Sequence, residues 1–242
     1  MLANLNSELP AKDIGFSAIL LLITFAFASI HIWSHHLHKS LRRYQLFVTS
    51  FSAGLAITYV FLHLFPSLEA AEATVGSQIH IITLLGFVIF YGIKTLVAQN
   101  STTAEAEADR AFYIEITFLA IYNALIIITL PEHLGIITLE VLLYLLAMGL
   151  HLLALNYRLQ ENHQRQLYRK GCIILAISLL LGFLVDVAID PLVSKAISDM
   201  LTAILAGFVL FNTFVEELPH PKTSTFIWFV GGIISYVFLL EL

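Results

Sequence analysis

Hydrophobic residues fall along this chain in eight long runs separated by short polar breaks, and within the runs apolar and polar positions do not alternate. A helix needs about 20 apolar residues to cross about 30 Å of hydrocarbon. Scanning for that length predicts spans over 14–33, 45–66, 79–98, 111–130, 136–156, 171–190, 196–218 and 226–240. Helices are expected because lipid-facing backbone must satisfy its own hydrogen bonds, and barrel strands would alternate. Pro10, Pro66, Pro131, Pro191, Pro219 and Pro221 fall in the N-terminal tail or at predicted span ends, where a helix-breaking ring is tolerated. The fold class expected is an all-α polytopic membrane protein of about eight transmembrane helices. Residues 1–13 form a tail, and 14–242 a single transmembrane domain.

Composition agrees. Hydrophobic residues make up 59% of the chain and charged residues only 12%, against roughly a quarter charged in a typical soluble chain. The mean hydropathy is +0.88. The single cysteine, Cys172, excludes an internal disulfide and any cysteine-rich metal site. The tail carries Glu8, Lys12 and Asp13 without a basic leading segment, so a cleavable signal peptide is not expected.

Positive charge gives the orientation. With the N-terminus outside, the cytoplasmic loops hold Lys39, Arg42, Arg43, Arg110, Arg158, Arg165, Arg169, Lys170 and Lys222, and the outer segments only Lys12 and Lys195. Both termini are then outside. Lys94 lies near the inner end of the third span and is expected to snorkel, as are Glu115 and Glu140, each about one turn from a span end.

An internal repeat runs beneath this pattern. Ala53-Gly54 in the second span is followed by Phe61, His63 and Pro66, and Ala206-Gly207 in the seventh is followed at the same spacing by Phe214, Glu216 and Pro219. The second span runs outward and the seventh inward, as in inverted-repeat transporters.

The stretches Ser52-Ala53-Gly54 to Phe61-Leu62-His63-Leu64-Phe65-Pro66 and Ala206-Gly207 to Glu216-Glu217-Leu218-Pro219 resemble the second and seventh helices of the ZIP metal transporters. The resemblance implies eight spans with both termini outside, in an inverted 3+2+3 bundle. Repeats at approximately 14–98 and 171–242 would flank helices at 111–156. It places a metal site between helices four and five, where the family carries His-Asn-x-x-Asp/Glu-Gly and His-Glu-x-Pro-His-Glu. Here the fourth span reads Tyr122-Asn123-Ala124-Leu125-Ile126-Ile127 and the fifth His151-Leu152-Leu153-Ala154-Leu155-Asn156. The asparagine and the leading histidine remain, while the acids and the proline are gone. The histidine-rich loop between helices three and four is replaced by a short segment with Glu105, Glu107 and Asp109.

Zinc sites normally draw about four ligands from thiolate, imidazole and carboxylate. Asn123 and Asn156 offer neutral oxygens, which leaves His151 as the one strong ligand, so the central site is expected to be weakened or absent. Candidate ligands or pathway residues are His151, Asn123, Asn156, His63 and Glu216, with Tyr122, Asp186 and Asp190 along a solute path. Each has a plainer reading. The buried polar groups can bond between helices, His63 and Glu216 can be interfacial, and Asp186 and Asp190, with Asp199 near in sequence, can be solvated at helix ends. His31, His35, His36 and His38 form a metal-like cluster by composition, but they adjoin Lys39, Arg42 and Arg43 and also read as a basic membrane-surface segment. Small residues at four-residue spacing (Ser50 with Gly54, Ala203 with Gly207, Gly231 with Ser235) read as close helix packing.

No nucleotide loop or hydrolytic triad is present, so an enzyme is not expected. The functions expected are a ZIP-like transporter of divalent cations such as zinc through a modified path or, as the alternative, a non-transporting scaffold or sensor of the same fold. No cofactor is expected beyond Zn2+ or another divalent cation as transported solute. The expected setting is the plasma (cell inner) membrane, with the bilayer as partner, a homodimer as an open alternative, and no nucleic acid.

Overall fold

Within long apolar runs the backbone must bond to itself, and every regular element among the described residues is helical. The computed structural model describes residues 14–41, 44–100, 105–130, 139–162, 165–189, 194–218 and 225–240. Its α-helices are α1 (Ile14–Leu41), α2 (Gln45–Tyr59), α3 (Phe65–Val75), α4 (Gln78–Asn100), α5 (Glu105–Ile128), α6 (Leu139–Asn162), α7 (Arg165–Ile189), α8 (Lys195–Phe211) and α9 (Phe226–Leu240). Six stretches are long and apolar enough to cross a bilayer: Gly15–Ser34, Leu46–Val75, Gln78–Gln99, Asp109–Ile128, Tyr168–Ala188 and Lys195–Glu216. Two shorter apolar stretches, Leu145–Tyr157 in α6 and Phe226–Leu240, join them. The outward faces expose Leu22, Ile81, Leu84, Phe226 and Ile227, which water would not tolerate in such density but lipid does. The chain is a multi-pass helical membrane protein.

The second predicted span differs from expectation. It does not stop at Pro66 but runs on from α2 through a π-helical turn, Val60–Leu64, into α3. Proline lacks an N–H and its ring collides with the carbonyl four residues back. The π turn widens the helix just ahead of it, with Phe65 N–H bonding to Val60 O, and Pro66 takes up the first turn of α3. Gly76, at φ 81°, then ends α3 in a conformation that a side chain disfavours. A second π-helical turn, Asn212–Glu217, follows α8, where Leu218 N–H bonds to Thr213 O at 3.2 Å. Val60 and Phe65 precede Pro66 at the same spacing at which Thr213 and Leu218 precede Pro219.

The helices sort into two groups. In one, α2 lies along α9 and α4 along α8, with α3 against α8. In the other, α7 lies along α5 and α1, and α1 touches α6. The two crossings in the first group are made by glycines. Gly54 lies against the Phe229 carbonyl and Gly232 against the Phe51 carbonyl, while Gly207 lies against the Thr83 carbonyl and Gly86 against the Ile204 carbonyl. A β-carbon at any of the four would overlap the opposing backbone oxygen. In all four helices the carbonyl that is touched belongs to the residue three before the glycine. Close backbone approach of this kind is how helices associate where lipid removes the hydrophobic drive. The expected pair Gly231 and Ser235 is one residue out of register. Gly231 meets only the Phe51 ring edge, at 4.0 Å, and its neighbour Gly232 makes the contact.

Candidate functional site

Polar side chains in an apolar bundle must find one another, because no water is present to serve them. The hydroxyls of Thr24, Thr58 and Thr83 bond back to Leu20, Gly54 and Ile79 carbonyls of their own helices. Longer side chains reach across, and they form a central layer between α1, α5, α6, α7 and the end of α8.

One half of the layer is built on His31, which is fully buried. Its Nδ1 lies 3.0 Å from Asn156 Oδ1 and its Nε2 lies 2.9 Å from Asn123 Nδ2. An amide NH2 only donates and an amide oxygen only accepts, so the complementary form is neutral imidazole, with its proton on Nδ1 donated to Asn156. Both ring nitrogens are thereby used. Ser34, one turn further along α1, sits 2.6 Å from the Tyr168 hydroxyl and 3.5 Å from Cys172 Sγ, and donates to the His31 carbonyl at 2.8 Å. All these residues belong to α1, α5, α6 and α7, which they fasten into one unit.

The other half reaches across to the first helix group. The Tyr122 hydroxyl stands 2.5 Å from His151 Nε2, and Asn212 Nδ2 approaches the same nitrogen at 3.4 Å. Both are donors to an imidazole nitrogen, which therefore accepts. Tyr122 and Asn212 are buried alongside it. A cavity with room for about one water molecule lies beside His151, bordered by Ala56, Tyr59, Met148, Val209 and Thr213. Thr213 Oγ1, Asn123 Oδ1 and Asn156 Nδ2 are buried without a hydrogen-bond partner, so the layer has unspent polar capacity around a small void.

Of the four central residues expected from sequence, Tyr122 meets His151, while Asn123 and Asn156 both meet His31. The carboxylates lie elsewhere. Glu216 is in the second π turn, its Oε1 3.6 Å from Lys94 Nζ. Asp186 is buried near the end of α7 rather than solvated, Asp190 lies outside the described residues, and Asp199 pairs with Lys195 at 3.3 Å. His63 lies in the first π turn, stacked on Tyr59 at 5.7 Å and edge-on to Tyr236 at 5.6 Å, so it is inside the long second rod and not at its end. His31 leaves the expected cytoplasmic cluster for the interior, while the side chains of His35 and His38 lie outside the described ones. Among the described residues, no three His, Cys, Asp or Glu side chains gather to hold a metal ion.

Asn212, Thr213, Ser34 and Tyr168 are not among the residues expected from sequence. The signal was available for Asn212, a lone amide inside the apolar seventh run. Nothing in the sequence marked Ser34 or Tyr168, whose contact depends on how α1 and α7 pack. No protein-family model matches the chain, and no curated protein matches it.

Proposed function

We propose that the chain is a ZIP-like membrane transporter, an inverted 3+2+3 bundle of eight spans with both termini outside the cell membrane. Two halves of opposite orientation are the reading's foundation. The single observation carrying it is the matched pair of glycine crossings, α2 on α9 and α8 on α4, each followed by a π turn and a proline at equal spacing. An inverted repeat of this form lets one helix group rock against the other around a fixed site. The central layer is the place for that site. Among the described residues it offers imidazole, amide and hydroxyl groups and no cluster of carboxylates, so a divalent cation such as zinc would be held weakly, with its charge poorly compensated.

The test is uptake of zinc into vesicles reconstituted with the wild type or with His151→Ala. Uptake above that of empty vesicles, reduced in the variant, is expected. Equal uptake in both, or none beyond the empty-vesicle leak, would remove metal transport through this layer.

A second reading, a non-transporting scaffold or sensor of the same fold, is favoured by one observation: the two ring nitrogens of His31 are fully engaged with Asn123 and Asn156. A layer so well bonded works as a fastener, and in that case wild-type vesicles carry no solute while the protein stays folded.

A further inference from the structure

We propose that Lys94 is a releasable latch that closes the inner end of the boundary between the two helix groups. Lys94 stands on α4, in the first group. Its Nζ lies 2.8 Å from Oε1 of Glu115 on α5, in the second group, and 3.6 Å from Oε1 of Glu216, in the π turn after α8. The Glu115 side chain is only 8% exposed, and those of Lys94 and Glu216 are 21% and 22% exposed. Lysine and glutamate this close to span ends ordinarily reach for water. Here Lys94 and Glu115 turn toward each other instead.

What makes the pair a latch and not a rivet is that Lys94 has a carboxylate within reach on each side of the boundary, Glu115 at 2.8 Å and Glu216 at 3.6 Å. A lone buried ion pair parts only by leaving a charge uncompensated, and that opposes separation strongly. Lys94 has another course: as the groups separate and Glu115 moves toward water, the ammonium closes on Glu216, which travels with its own group. The cation is never bare, so the boundary can open without exposing it. Glu216 stands in a π-helical turn, a local widening often found at functional sites. The inference takes its place in a cycle from the transport reading, but the latch itself is measured without any solute.

The measurement is the rate at which a charged, membrane-impermeant thiol reagent labels Val209→Cys, beside the central cavity, in inside-out vesicles of a Cys172→Ser background. With the latch intact, labelling is slow. Glu115→Gln and Lys94→Met are expected to raise the rate about tenfold, equivalent to about 1.4 kcal/mol, while Lys94→Arg keeps it slow. Glu216→Gln, an isosteric change at a position more exposed than Glu115, serves if the buried variants fail to fold. It removes the second berth and is expected to slow labelling below the parent, because Lys94 then has nowhere to go. Folded Glu115→Gln protein labelled no faster than its parent, or Glu216→Gln labelled at the parent's rate, overturns the latch. Fast labelling of Glu115→Gln in vesicles whose wild type carries no zinc supports the latch and removes the transport reading. Zinc flux with labelling unmoved by these substitutions does the reverse.

Discussion

The Tyr122 hydroxyl lies 2.5 Å from Nε2 of His151, so the strongest metal ligand in the central layer has its lone pair already bonded. A cation seeking that nitrogen must displace the phenol, and no carboxylate described in the layer rewards the exchange. Tyr122→Phe is therefore expected to destabilise the protein by about 1 kcal/mol, the net worth of one hydrogen bond, without creating zinc affinity. Tyr122→His with Ile126→Glu, which places imidazole and carboxylate one turn apart on α5, is expected to raise zinc affinity. Calorimetric titration of the detergent-solubilised variants checks both. No zinc binding by the double variant would show that these positions do not face a common site.

His31 gives the second prediction. Removing its ring strands Asn123 Nδ2 and leaves Asn156 Oδ1 only the Cys172 thiol, at 3.9 Å, and each unsatisfied buried group costs about 1–3 kcal/mol. His31→Ala should lower the thermal midpoint in detergent clearly more than His36→Ala, whose side chain is exposed. Equal midpoints would mean that the His31 bonds contribute nothing net.

How much of this was legible beforehand depends on whether the signal was local. The apolar runs were, and so was the Ala-Gly pair in the second and seventh, because a small residue in a long apolar stretch has few uses other than close approach. Gly86 and Gly232, which complete the crossings, were hidden, since which glycine faces a neighbour depends on helix rotation. Pro66 misled for a physical reason: a ring that ends ordinary helices is accommodated when a π turn precedes it, and no residue pattern announces a π turn. His31 was read with its histidine-rich neighbours, although it lies within the predicted first span and only its partners on α5 and α6 reveal its role. Lys94 and Glu115 are each expected singly to snorkel, but on adjacent helices the two opposite charges stand 2.8 Å apart and compensate each other without reaching water.

Orientation can be tested with cysteines placed in a Cys172→Ser background. Ser77, exposed between α3 and α4, and Arg169, exposed at the start of α7, lie on opposite sides in the proposed topology. In whole cells, an impermeant thiol reagent should label Ser77→Cys and spare Arg169→Cys, and in inverted vesicles the pattern should exchange. Labelling of both from one side would break the eight-span arrangement.

The glycine crossings make a quantitative demand. Gly54 on α2 and Gly207 on α8 meet backbone carbonyls in the same register, so an added methyl group overlaps a backbone oxygen at both, and at Gly207 the Phe87 nitrogen and Gly86 carbonyl carbon as well. Backbone cannot swing aside as a side chain can, and overpacking of this kind costs about 1–3 kcal/mol, occasionally more. Gly54→Ala and Gly207→Ala should therefore both lower thermal stability, Gly207→Ala by at least as much, and Gly86→Ala and Gly232→Ala should lower it too. Gly92→Ala is the control, since a β-carbon there meets nothing within 4 Å and alanine is the better helix former. It should leave stability unchanged or raise it by up to about 1 kcal/mol. If Gly54→Ala melted like the wild type while Gly207→Ala unfolded, the two crossings would not be equivalent, and the symmetry beneath the proposed function would fail with them.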